Sequence, residues 1–135
     1  MVVDDDPEVI ELLRFNLKKA GYSIGTAVNG VEALVKVRSL APDLILLDLM
    51  LPELDGFAVC ETLRRNPSTA RTPIVMLTAV PGALARLAGF ESGATEFVSK
   101  PFSPRDLIQV IQKVLLGALP GVGKAEAIQP KASPA

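Results

Sequence analysis

Four positions far apart in the chain carry side chains suited to one piece of chemistry: the acidic run Asp4-Asp5-Asp6, Asp48, Thr78 and Lys100. The first three positions fall where an apolar run gives way to polar or turn residues, in VVDDDP, LILLDLMLPELDG and PIVMLTAV, and the fourth lies in FVSKPF. Clustered carboxylates favour a hard divalent cation with oxygen ligands. A hydroxyl and an ammonium beside them suit a phosphoryl group, whose transfer needs alignment and charge neutralisation. The combination points to phosphate chemistry.

Such residues meet only if the fold brings strand ends together. Met1–Val3 reads as a stub of strand. Asp6 then caps a helix with Pro7 in its first turn, Val9, Ile10, Leu13, Leu17 and Ala20 follow at helical spacing, and Gly21 stops it. Tyr22–Val28 predicts an edge strand. Val31–Leu40 predicts a second helix with Val31, Leu34, Val35 and Val37 facing in. Leu44–Leu47 and Ile74–Leu77 are continuously apolar, as central parallel strands buried on both faces should be. Phe57–Arg65 and Leu84–Ser92 read as helices, and Phe97-Val98 as a last strand. Ser103-Pro104-Arg105-Asp106 is a capping box opening a helix with Leu107, Ile108, Ile111, Val114 and Leu115 on its inner face. Glu53 and Asp55 read as loop charges, and Cys60 as a packed residue of the third helix. Five strands alternating with five helices imply right-handed crossovers and a doubly wound α/β sheet, whose carboxyl edge forms the ligand crevice.

Composition narrows the function. A chain of 135 residues fits one domain and buries roughly two-thirds of its unfolded surface. Hydrophobic content of 49% against 21% charged is globular. A net charge of -1 offers no basic surplus for nucleic acid, and 4% aromatic content without Trp argues against a base-stacking platform. Having no histidine, the chain lacks histidine triads, histidine zinc sites and any phosphohistidine. A lone Cys60, no leader pattern and no apolar run of about 18 residues predict a soluble cytoplasmic domain that does not meet a membrane. From Gly117 the composition turns to Gly, Ala, Pro and Lys. The expected division is a domain over 1–117, its first strand truncated, followed by a flexible tail or linker start over 118–135.

The ordered set VVDDDP, LILLDLMLPELDGF, PIVMLTA and GATEFVSKPF resembles a bacterial two-component response-regulator receiver domain of the CheY-like superfamily. The resemblance runs from Val2 to about Leu116. It implies a flavodoxin-like (βα)5 sandwich whose five-stranded parallel sheet has the order 2-1-3-4-5. It also implies that Asp48 is the phosphoacceptor and that Mg²⁺ is the cofactor. Asp5, Asp48 and the backbone carbonyl of Met50 would hold the metal directly, with Asp4 acting through water. Lys100 and Thr78 would bind phosphate oxygens, and the small Ala79 would leave the phosphoryl group room. Thr78 would then move on phosphorylation while the aromatic at Phe97 fills the vacated space, although Phe97 reads equally well as a core residue. The Lys100-Pro101 bond would be cis. Val80, where a polar residue is often found, and Met50 would alter water access to the acyl phosphate.

Each residue alone has a plainer reading: a helix cap or acidic turn for Asp4-Asp5-Asp6, a strand-end residue for Asp48 and Thr78, a surface lysine for Lys100. An aspartate-nucleophile phosphatase would want a second acid two residues on, but Met50 stands there. A flavin-binding loop would not be three aspartates. The reading is therefore a signalling receiver rather than an enzyme. A histidine kinase or phosphotransfer protein would phosphorylate it, and it would change its affinity for a downstream effector protein. A homodimer through the fourth helix, fifth strand and fifth helix would fit Arg86, Glu91, Glu96, Arg105 and Asp106. The alternative is a phosphorylation-independent pseudo-receiver acting as an interaction module.

Overall fold

The computed structural model describes residues 1–79 and 82–117. Val80 and the expected tail, residues 118–135, lie outside the described residues. Five parallel strands, β1 (Val2–Val3), β2 (Thr26–Ala27), β3 (Ile45–Asp48), β4 (Ile74–Thr78) and β5 (Glu96–Ser99), form one sheet in the order β2-β1-β3-β4-β5. They alternate with helices α1 (Pro7–Lys19), α2 (Gly30–Leu40), α3 (Gly56–Arg65), α4 (Ala83–Glu91) and α5 (Pro104–Gly117). The fold is the expected doubly wound α/β architecture. None of the described helices is long and apolar enough to cross a membrane.

β3 and β4 lie inside the sheet, and every one of their residues is buried. Their alternate side chains feed two cores. Ile45, Leu47, Ile74 and Met76 pack with Ala33, Val37, Val59, Cys60 and Leu63 from α2 and α3 on one face. Leu46, Val75 and Leu77 pack with Ile10, Leu13, Leu17, Leu107, Ile111 and Val114 from α1 and α5 on the other. β1 has two strand residues, both buried, and Met1 extends its pairing: Leu46 N–H donates to Met1 O at 2.8 Å, and the Met1 amine donates to Leu44 O at 2.9 Å.

Caps set the helix starts. Asp6 accepts from the Glu8 amide at 2.9 Å and Asn29 from the Glu32 amide at 2.7 Å. Asp55, expected to be only a loop charge, caps α3 by accepting from the Ala58 amide at 2.9 Å. The Ser103 hydroxyl accepts from the Asp106 amide at 3.4 Å, as the capping box requires.

Two sequence expectations fail. β2 spans Thr26–Ala27 rather than Tyr22–Val28, because the outermost strand pairs along one side only. In α2, Val31 and Val35 point outwards, 53% and 70% exposed, while Gly30, Ala33 and Val37 are buried. The small residues decide the rotation. A β-carbon at Gly30 would lie 2.7 Å from Val59 Cγ2 and 2.8 Å from Leu54 O, so this stripe brings α2 closest to α3, at the cost of exposing two valines.

Candidate functional site

The carboxyl edge of the sheet gathers the chemistry. Asp4 follows β1, Asp48 ends β3, Thr78 ends β4, and Lys100 follows β5. Asp48 pairs with Leu77 in register, so Thr78 lies one residue beyond it on the adjacent strand, and Lys100 N–H donates to Thr78 O at 2.6 Å. Four residues separated by up to 96 positions thus share one edge because their strands are parallel and neighbouring.

Asp4 is fully buried, Asp48 and Thr78 nearly so, and Asp5 is exposed. One carboxylate oxygen from each of Asp4, Asp5 and Asp48 lies within 4.8 Å of the others. Lys100 Nζ sits among them, 3.0 Å from Asp4 Oδ2 and 3.5 Å from Asp48 Oδ1. Asp4 is fixed on its other oxygen, where Oδ1 accepts from the Asp6 amide at 2.9 Å. The Met50 amide donates to Asp48 Oδ1 at 3.3 Å, which ties the loop after β3 to the acid. The Met50 side chain is exposed.

The electrostatics are those of a site short of positive charge. Burial, then the neighbouring Asp4 carboxylate, raises the Asp48 pKa above the ordinary carboxylate range, and Lys100 and the Met50 amide only partly oppose this. Burial alone would lower the Lys100 pKa. The hydrogen bond and charge of Asp4, then Asp48, outweigh it and hold the ammonium above its usual value. Three carboxylates facing one ammonium form an oxygen-rich, anionic cluster of the kind Mg²⁺ prefers. The exposed Asp5 opens it to solvent, as a metal that keeps several waters requires.

Every described site residue expected from the sequence therefore falls at this edge except Phe97, which lies beneath it. Phe97 is buried at 5% exposure. Its ring occupies space that a side chain on α4 would fill: a β-carbon at Gly89 would collide with its Cε2. Phe90 lies 6.2 Å away between centroids, and the Arg86 guanidinium lies over both rings, at 5.9 and 5.4 Å. The Lys100-Pro101 peptide is cis.

Sequence reading missed two contributors. Gly56 lets the loop after Asp48 fold back, since a β-carbon there would lie 2.7 Å from Asp48 O and 2.8 Å from Leu49 Cα. The glycine directly after Leu54-Asp55 was the available signal. The Met50 amide had none, because a backbone donor leaves no mark in side-chain chemistry.

The family model for the response regulator receiver domain matches residues 1–112. The DNA-binding dual master transcriptional regulator RpaA of Synechocystis sp. is 42% identical over 115 residues, covering 85% of this chain and 48% of that protein. The alkaline phosphatase synthesis transcriptional regulatory protein PhoP of Bacillus subtilis is 44% identical over 115 residues, with 85% and 47% covered. The chain thus spans about half the length of these curated relatives. Among solved structures, the chemotaxis protein CheY4 of Vibrio cholerae superposes with a TM-score of 0.80 at 34% identity, covering 84% of this chain and 94% of that one. A CheY-like response regulator receiver domain protein from Methanospirillum hungatei gives 0.81 at 26% identity, with 87% and 92% covered.

Proposed function

This chain belongs to the response-regulator receiver domain family, the signalling modules of two-component phosphorelays, and from that premise we propose that Asp48 is its phosphoacceptor. The observation that carries the reading is the buried Asp48 carboxylate, held between the Lys100 ammonium and the acid pair Asp4 and Asp5. An Asp48 oxygen attacks the phosphorus of a phosphohistidine on a kinase or phosphotransfer protein. The new O–P bond forms as the N–P bond breaks, and the imidazole leaves with the electron pair. Lys100 shifts from the carboxylates to a phosphoryl oxygen, and the Thr78 hydroxyl donates to another. Asp5, Asp48 and the Met50 carbonyl would hold Mg²⁺, with Asp4 acting through water, and the ion when bound supplies charge neutralisation between donor and acceptor oxygens. The residue set and the 4.8 Å carboxylate cluster support that fit.

The phosphoryl group stays on the protein as a signal, so the domain modifies itself and turns over no separate substrate. Residues 1–117 form the receiver and 118–135 a tail or linker start. The longer relatives support an effector protein or domain as the output, with the receiver itself making no nucleic-acid contact. The cytoplasm is the compartment, and Thr78, Phe97 and the α4–β5–α5 face carry the switch and a phosphorylation-promoted homodimer.

The test is intact mass after incubation with Mg²⁺ and acetyl phosphate. One added phosphoryl group is expected, absent from Asp48→Ala and from a chelated sample. A folded protein that gains no mass and shows no spectral change with beryllofluoride would favour the phosphorylation-independent module.

A further inference from the structure

The phosphoacceptor site leaves unexplained a second polar centre at the opposite edge of the sheet. Arg64, in the last turn of α3, donates from Nε to Gly93 O at 2.8 Å. Its Nη1 reaches Thr72 O at 2.6 Å, Ala70 O at 3.2 Å and Thr69 O at 3.3 Å, and its Nη2 reaches Thr95 Oγ1 at 3.4 Å. One guanidinium thus ties the connection entering β4 to the turn between α4 and β5. Thr95 Oγ1 also accepts from Ile74 N–H at 3.0 Å, and Thr95 N–H donates to Ile74 O at 2.7 Å, so the starts of β4 and β5 are locked together at this point. Gly93, at φ +110°, lies against the arginine, and a β-carbon there would come 2.6 Å from Arg64 Cγ. Four backbone carbonyls and one hydroxyl converge on one side chain, a fork geometry that Lys cannot reproduce.

The two ends of α4 are therefore unlike. Its C-terminal turn runs into Gly93 and Thr95, held by Arg64. Its N-cap, Gly82 at φ +112°, provides no side-chain cap, and the first turn carries no acid. This end, without a side-chain cap, follows the strand that ends in Thr78. Thr78 and Lys100 stand four and five residues along β4 and β5 from the locked pair Ile74 and Thr95, about 13 and about 17 Å at roughly 3.3 Å per residue.

We infer that Arg64 is a positioning residue that pins the C-terminal end of α4 and the start of β5, so that a change at Asp48 and Thr78 enters α4 from its N-terminal end alone. This rests on the reading of Asp48 as phosphoacceptor. With one end fixed, a shift at the other becomes a tilt of α4 rather than a translation, and the surface around Arg86 moves while Gly93 stays.

The experiment is amide hydrogen exchange of the full chain, with and without Mg²⁺ and beryllofluoride, for wild type, Arg64→Lys and Thr95→Val. Adduct formation with acetyl phosphate is followed by mass on the same samples. In wild type, amides 90–95 should be slow and indifferent to beryllofluoride, while amides 82–86 respond. In Arg64→Lys, amides 90–95 should exchange at least about tenfold faster and become beryllofluoride-sensitive, with the adduct still forming. Thr95→Val, a milder lesion, should show the same pattern to a smaller degree and serves if Arg64→Lys does not fold. Unchanged exchange at 90–95 in the variants overturns the pin. A wild-type response spread evenly along α4 overturns the one-ended coupling. Failure of every protein to take the phosphoryl group overturns the phosphoacceptor reading instead, and ligand-free exchange then still decides the pin.

Discussion

Asp48→Asn should stabilise the metal-free protein, and the distances show why. Two unit charges interact by about 332/(εr) kcal/mol, and an effective ε of about 20 suits such sites. At 3.5 Å the Lys100–Asp48 attraction is roughly 4.7 kcal/mol, and at 4.8 Å the Asp4–Asp48 repulsion is roughly 3.5 kcal/mol. Because 4.8 Å is an upper bound, the two nearly cancel. What decides the sign is the cost of keeping a buried carboxylate charged, several kcal/mol per ion, and burial is the largest cause raising the Asp48 pKa. Asn keeps the shape, and its carbonyl can still accept the Met50 amide. The expected gain is about 1–3 kcal/mol, or roughly 4 °C of Tm per kcal/mol for a chain of this size. Urea unfolding at pH 7 with chelator measures it. Two further signs must agree. An acid whose folded pKa lies above its unfolded value gains stability as pH falls, so the variant's advantage should shrink as Asp48 becomes protonated. Added Mg²⁺ should stabilise wild type more than the variant and close the gap. A variant less stable than wild type without metal would refute the claim that charge burial dominates this site.

Three other outcomes follow from burial and packing elsewhere in the fold. Burial at the head of β1 lowers the Met1 amine from 8.0 to about 6, with Asp43 opposing weakly. The unfolded chain therefore binds the proton first, and stability should rise by about 2–3 kcal/mol from pH 6 to pH 8 and level off on either side, a step that amine acetylation removes. Gly56→Ala places a β-carbon against the Asp48–Leu49 backbone and should cost about 1–3 kcal/mol by denaturant unfolding, while slowing adduct formation at Asp48. Val35→Ser should leave stability within about 0.5 kcal/mol, since that side chain faces water; a larger loss would mean that α2 is rotated from the orientation described.

The site was legible because its residues end apolar runs, and a parallel sheet converts the ends of separate runs into one place. Asp48 and Thr78 needed only that rule, while Lys100 was placed with them by its fragment FVSKPF. The α2 face was misjudged because hydrophobic spacing in GVEALVKV supports two stripes, and valine outweighs alanine on any hydropathy scale. Packing chose the stripe with Gly30 and Ala33, since close helix approach to Val59 and Leu54 rewards small side chains that a hydropathy count discards. Arg64 was invisible for another reason. Its partners are carbonyls at residues 69, 70, 72 and 93, and a carbonyl is present at every position whatever the sequence. Asp55 was seen but underread, because a cap is identified by the amide it meets.

The contact between Phe97 and Gly89 makes two positions into one unit of inheritance. A single hydrogen on α4 is all that separates the helix backbone from the ring, so the volume at position 89 and the volume at position 97 are drawn from the same space. A lineage that acquires alanine at 89 must shrink the residue at 97 or turn its ring out past Arg86, and either change remodels the outer surface of α4 without altering an atom of the acidic cluster. The outer surface of α4 can thus drift through this pair while the acidic cluster stays constant.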